Sequence, residues 1–215
     1  MSFSLECKKV KRTGFTPAFL SGGLLAAIVP VLNMAVRSEN YLGLHAAPVQ
    51  ILMDANWQMM AMLNILLIVT GACLMYHTEY ADNAIQRMCT LPIKESKLFF
   101  GKITLMALMC IFILAIEAAS IAFCSYHWFE PADEVWVEIM KSFGYALLLM
   151  LPAAFGSLFI ASACKNMWVS LGIGVVCVFT ATMLPTKNFV LSLFPFALPF
   201  QIFAGTAENT ACNFM

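Results

Sequence analysis

Residues 76–102 read YHTEYADNAIQRMCTLPIKESKLFFGK. The stretch carries seven charged side chains: Glu79, Asp82, Arg87, Lys94, Glu95, Lys97 and Lys102. On both sides lie apolar runs near 20 residues, long enough to cross the hydrocarbon core of a bilayer. A polar island of this size between two spans must sit in water. It therefore divides the chain into membrane-crossing halves.

The composition agrees. Of 215 residues, 61% are hydrophobic and only 11% charged, with a mean hydropathy of +0.84. A soluble domain carries roughly a quarter charged residues. The chain is therefore an integral membrane protein, read as one all-α domain over residues 1–215, since only helices and closed barrels satisfy the backbone in lipid. The formal net charge is zero, so charge balance gives no indication of nucleic-acid binding. The eight cysteines form no Cys-x-x-Cys pair and no Cys/His set at zinc spacing, which leaves no metal site to propose.

N-terminal to the island, residues 2–14 place Phe3, Cys7 and Val10 at helical spacing among Lys8, Lys9, Lys11 and Arg12. This suits a cytoplasmic amphipathic helix over residues 1–14, lying on an anionic membrane surface. Five spans are expected: Phe15–Val36, kinked at Pro30; Trp57–Tyr76, anchored at the interface by Trp57; Ile103–Tyr126; Phe143–Cys164; and Met167–Pro185. Residues 37–56 and 127–138 are polar connections, the second of them acidic. The two-residue turn Lys165-Asn166 makes the last two spans an antiparallel hairpin.

Residues 186–215 hold a last apolar stretch with Pro195 and Pro199 inside. Two prolines four apart oppose one straight spanning helix, so the stretch is read as a broken, re-entrant segment. The basic residues set the orientation. With the N-terminus inside, inner segments hold nine Lys and Arg, including Arg87, Lys94, Lys97, Lys102 and Lys165, against three outside, Arg37, Lys141 and Lys187. The positive-inside rule places the island, residues 77–102, in the cytoplasm.

Inside the island, Asp82 or Asn83 caps a short helix. Ala84, Ile85, Met88 and Cys89 give it an apolar side, and Leu91-Pro92 ends it. A short amphipathic helix between two spans is a handle that a partner protein can grip. Within the spans, Glu117 is the one ionisable residue placed deep in lipid. A carboxylate there costs roughly 2.5–3.5 kcal/mol on insertion scales. It either meets a substrate or cation, or takes a hydrogen bond from Asn64, Ser120 or Ser157. Gly22-Gly23, Gly172-x-Gly174 and the small face Ala153, Ala154, Gly156, Ser157 and Ala161 suit close helix packing.

Glu79 at the end of one span, a short helix, Leu91-Pro92-Ile93 and Lys102 at the start of the next span together resemble the coupling region of type-2 ABC exporter permeases. Leu5-Glu6-x-x-Lys9-x-Lys11-Arg12 is similar to the opening helix of bacterial drug- and lantibiotic-exporting members. The resemblance is greatest to permease subunits of lantibiotic self-protection (immunity) transporters. It implies a multi-pass subunit of the bacterial cell membrane, without an ATPase site of its own. ATP and Mg would bind a separate ABC ATPase dimer, and a second permease, identical or homologous, would complete the transporter.

On this resemblance Glu79, Asp82, Arg87, Leu91, Pro92, Lys94 and Lys97 contact the ATPase, Lys102 anchors the third span, and Glu117 is a substrate or intramembrane polar contact. The exported substrate would be an antimicrobial peptide or another amphipathic drug, giving self-protection or antibiotic resistance. The family has six spans, so here the sixth is absent or atypical. The residues also suit a second reading, a non-transporting scaffold or sensor whose island docks a partner. An adjacent reading frame with a Walker motif separates the two.

Overall fold

The computed structural model describes residues 14–43, 46–80, 95–129, 135–164, 166–183 and 193–201. The N-terminal helix expected over residues 1–14 and the island helix after Asp82 lie outside them. The described residues form five α-helices: α1 (Phe15–Leu42), α2 (Pro48–Tyr80), α3 (Glu95–Trp128), α4 (Val135–Ala163) and α5 (Met167–Met183). A single 3-10 turn, Leu198–Phe200, follows. Among the described residues, α1, α2, α3 from Leu98 onward, and α4 are long and apolar enough to cross a membrane. Helix α5 is apolar but has 17 residues, about 26 Å at 1.5 Å per residue.

The helices run past the limits that hydropathy sets. Most of the connection expected over 37–56 is helical, because α1 continues to Leu42 and α2 already begins at Pro48. Proline suits a first helical position, having no N–H to leave unpaired, and the Ala47 carbonyl accepts from the Ile51 amide at 3.1 Å. A 33-residue α2 spans about 50 Å, well beyond a hydrocarbon core of about 30 Å. Its ends therefore stand in the headgroups or in water, where polar side chains on a helix are not penalised.

The departure from helix in α1 lies at Arg37 (φ −132°, ψ 31°), not at Pro30. Pro30 is buried, and the Ser120 hydroxyl of α3 donates to the Ala27 carbonyl, one turn before it. The carbonyl that Pro30 leaves without its helical donor is that of Ala26, so the Ser120 bond braces α1 beside the proline without replacing the missing bond.

Helix α2 is the axis of the bundle and packs against all four other helices and against the 3-10 turn. Helix α1 lies on α2 and α3, while α5 lies on α2 and α4 as the expected hairpin partner. At that hairpin the Asn166 side-chain oxygen accepts from the Trp168 amide at 3.0 Å. One large buried cluster joins α1 to α4 through Phe15, Phe19, Ile68, Met106 and Ile113. A second, around Ile65, Val69, Val178 and Phe196, seats α5 and the segment 193–201.

Small residues permit the close approaches. A Cβ on Gly71 would strike the rings of Phe15 and Phe19, one on Gly22 would strike Leu67, and one on Gly174 would strike Val69. Gly23 faces Ile113 tightly, whereas Gly172 faces nothing within 4 Å. Of the expected packing glycines Gly172 is therefore not at a contact, and Gly71 is a further one.

Residues 193–201 form turns and the 3-10 turn rather than an α-helix, as two prolines four apart require. Phe196 and Ala197 are buried, and Trp57 Nε1 donates to the Pro199 carbonyl at 3.1 Å. Trp57 is thus an internal tie, 8% exposed, rather than the interface anchor expected of it.

Candidate functional site

Among the described residues, two of the polar groupings within the apolar bundle contain side chains singled out from the sequence. The first lies where α2 and α3 meet the island. Lys102 Nζ stands 2.5 Å from Glu79 Oε1, with Lys102 1% and Glu79 6% exposed. The Lys102 ammonium also lies 5.2 Å from the centroid of the Tyr76 ring, within cation–π range. One turn further along α2, Tyr80 OH donates to the Ser162 carbonyl at the end of α4 at 2.5 Å. The ends of α2, α3 and α4 are therefore joined by polar contacts on the side where the island emerges.

This places the expected coupling residues differently. Glu79 turns inward to Lys102 and presents almost no surface to a partner. Lys102, expected to anchor the third span at the inner surface, is buried against the Glu79 carboxylate. Asp82, Arg87, Leu91, Pro92 and Lys94 lie outside the described residues. Lys97 belongs to the first turn of α3. The sequence sign of the Glu79–Lys102 pair was available: opposite charges at matching depth on the two spans that flank one loop.

The second grouping lies in the middle of the bundle. Asn64 Nδ2 of α2 donates to Glu117 Oε2 of α3 at 3.1 Å. Of the three partners proposed from sequence, only Asn64 has this role. Ser120 donates to the Ala27 carbonyl instead, and Ser157 to its own helix at Ala153. Glu117 is 1% exposed and Asn64 3%. Oε1 of Glu117 and Oδ1 of Asn64 are buried and accept no hydrogen bond from the described residues.

Both side chains line a small, partly open cavity. Trp57, Met60, Leu114, Phe143 and Met150 form its apolar walls, and Pro199 closes one side. The Trp57–Pro199 hydrogen bond thus fixes part of the rim, a relationship across 142 residues of sequence with no local signature. Among the described residues no three His, Cys, Asp or Glu side chains gather to hold a metal.

The described helices form an apolar bundle around α2, with a buried ion pair at the base of the polar stretch. The family model described as ABC-2 family transporter protein matches residues 2–181. The chain belongs to the ABC-2 transporter family. No curated protein and no solved structure matches it. The match covers the island, the Glu79–Lys102 pair and the Asn64–Glu117 pair. The permease is a multi-pass membrane subunit, and permeases of this family normally work with an ABC ATPase.

Proposed function

We propose that this ABC-2 permease is the membrane half of an ATP-driven exporter that moves an amphipathic peptide or drug out of the bilayer. Two permease copies, identical or homologous, stand on a dimer of ATPase chains that bind ATP and Mg. The N-terminus and the island face the cytoplasm of a bacterial cell, as the distribution of Lys and Arg favours. Helix α5 is a fifth span, and residues 193–201 belong to a re-entrant segment. An antimicrobial peptide such as a lantibiotic, expelled for self-protection, is the substrate to which the sequence resemblance points.

The observation that carries the coupling part of this reading is the buried Glu79–Lys102 pair. It ties the two helices that bracket the island, so a force applied to the island moves α2 and α3 together. In this mechanism Asp82, Arg87, Leu91, Pro92, Lys94 and Lys97 contact the ATPase. Glu79 and Lys102 act behind them as positioning residues. Closure of the ATPases pushes the island, the permease halves rock, and the substrate leaves along their interface. The space beside Glu117 is far smaller than a peptide, which favours a path between permeases over one through a single bundle. Glu117 then contacts one group of the substrate at most.

The test is affinity purification of the tagged permease in mild detergent, with its native operon expressed. Stoichiometric recovery of a nucleotide-binding ATPase is the expected result. Consistent recovery of the permease without one would favour a scaffold or sensor that uses the island for docking.

A further inference from the structure

We infer that the cavity walled by Asn64 and Glu117 takes the head of a primary alkylammonium, such as an aminoalkyl side chain of an amphipathic substrate. The inference rests on the exporter reading for its biological meaning and on the cavity alone for its chemistry.

Two buried acceptors, Glu117 Oε1 and Asn64 Oδ1, have no donor among the described residues. With Glu117 ionised, turning the Asn64 amide round would set oxygen against oxygen, so its nitrogen stays on Glu117 Oε2. The cavity therefore asks for N–H or O–H donors. A carboxylate adds a demand for positive charge, since an uncompensated buried charge is costly.

The walls narrow the choice. A hard metal ion wants about six oxygen ligands, and the two polar side chains here supply three oxygens. Everything else named in the lining is apolar apart from the Trp57 indole and the Pro199 backbone, and the indole N–H is already given to the Pro199 carbonyl. An alkylammonium matches both halves. Its three N–H donors suit the bare oxygens, and its methylene stem suits Met60, Leu114, Phe143 and Met150. A trimethylated head has no N–H to give the two bare oxygens, so it leaves them unsatisfied.

The experiment uses the full-length permease in nanodiscs of zwitterionic phosphatidylcholine, with thermal unfolding followed against ligand concentration. The probes are octylammonium, octyltrimethylammonium and octanol. Octylammonium should raise the unfolding temperature saturably, with the other two binding at least tenfold more weakly. Glu117→Gln should weaken octylammonium at least tenfold. Ala146→Leu fills the cavity from α4 while keeping both polar side chains, and it should abolish the shift.

No saturable effect of octylammonium, equal binding of octyltrimethylammonium, or unchanged binding in a folded Glu117→Gln or Ala146→Leu would overturn the inference. The first of these would leave the two acceptors to an ordered water or to protonation of Glu117. Because the assay needs no ATPase, the two readings fail separately. Amine binding without ATPase recovery sinks the exporter, whereas ATPase recovery without amine binding sinks the site.

Discussion

Lys102 and Glu79 form a buried ion pair, 2.5 Å between Nζ and Oε1, at the base of the polar island. Its members sit on α2 and α3, so the pair closes the loop covalently joined above it. Removing one member takes the nearest counter-charge from a buried ion, a change that costs up to roughly 3–5 kcal/mol. Glu79→Gln and Lys102→Met should each lower the unfolding temperature of the purified permease markedly. The double variant Glu79→Leu/Lys102→Met should recover much of that loss, since a well-packed apolar pair can replace a buried ion pair. If the singles unfold like the parent protein, the pair has no structural weight.

The packing glycines separate by what they touch. Gly174→Ala drives a methyl into Val69, a side chain stiff at χ1, and Gly71→Ala drives one into two aromatic rings. Overpacking of this kind costs roughly 1–3 kcal/mol. Gly22→Ala meets the branched tip of Leu67, which is only partly buried, and should cost less. Gly172→Ala, on the same helix as Gly174 but facing open space, should be close to neutral. Thermal unfolding of the four variants in one detergent gives the order. Equal losses at Gly172 and Gly174 would mean that helix contact does not decide it.

How much of this was legible beforehand follows from what lipid enforces. The spans could be read because an apolar run near 20 residues has few other folds available. Asn64 could be named as a partner of Glu117 because a mid-bilayer carboxylate has few polar neighbours to choose from. The helix ends were not legible. Hydropathy reports where lipid is, and Arg37, Glu39 and Asp54 are as compatible with a helix in water as with a loop. Pro30 misled for another reason: the helix continues through this buried proline, and the departure falls at Arg37 instead. Glu79 was read as surface because it sits in a polar stretch, and only its depth opposite Lys102 turns it inward. Gly71 and the Trp57–Pro199 tie depend on helices brought together by the whole fold.

Trp57 holds the segment 193–201 by one hydrogen bond to Pro199. Trp57→Phe keeps most of the apolar area and removes the donor, a loss of about 1 kcal/mol. The segment should then open more often while the helices remain folded. Hydrogen exchange at the Phe200 and Gln201 amides, which donate to Ala197 and Leu198, should rise severalfold with α2 and α4 unchanged. Exchange that rises equally across the bundle would show that Trp57 supports the core rather than the segment.

The island should bind its partner by charge and helix shape, and its own sequence offers the cleanest disruption. Arg87 and Lys94 lie on either side of Leu91-Pro92 and belong to no span. Reversing both, Arg87→Glu with Lys94→Glu, changes the island by four charge units at positions outside the described helices. The unfolding temperature should stay within a few degrees of the parent, and ATPase recovery in the affinity purification should fall at least tenfold. The Glu79→Leu/Lys102→Met permease provides the contrast. It should still recover the ATPase, because the proposed docking residues are intact, yet lose substrate-stimulated hydrolysis, because apolar packing holds α2 against α3 without the directional bond that fixes their register. If the charge-reversed island recovers the ATPase normally, docking lies elsewhere on the cytoplasmic face. If the paired variant keeps full stimulation, the ion pair is structural and plays no part in coupling.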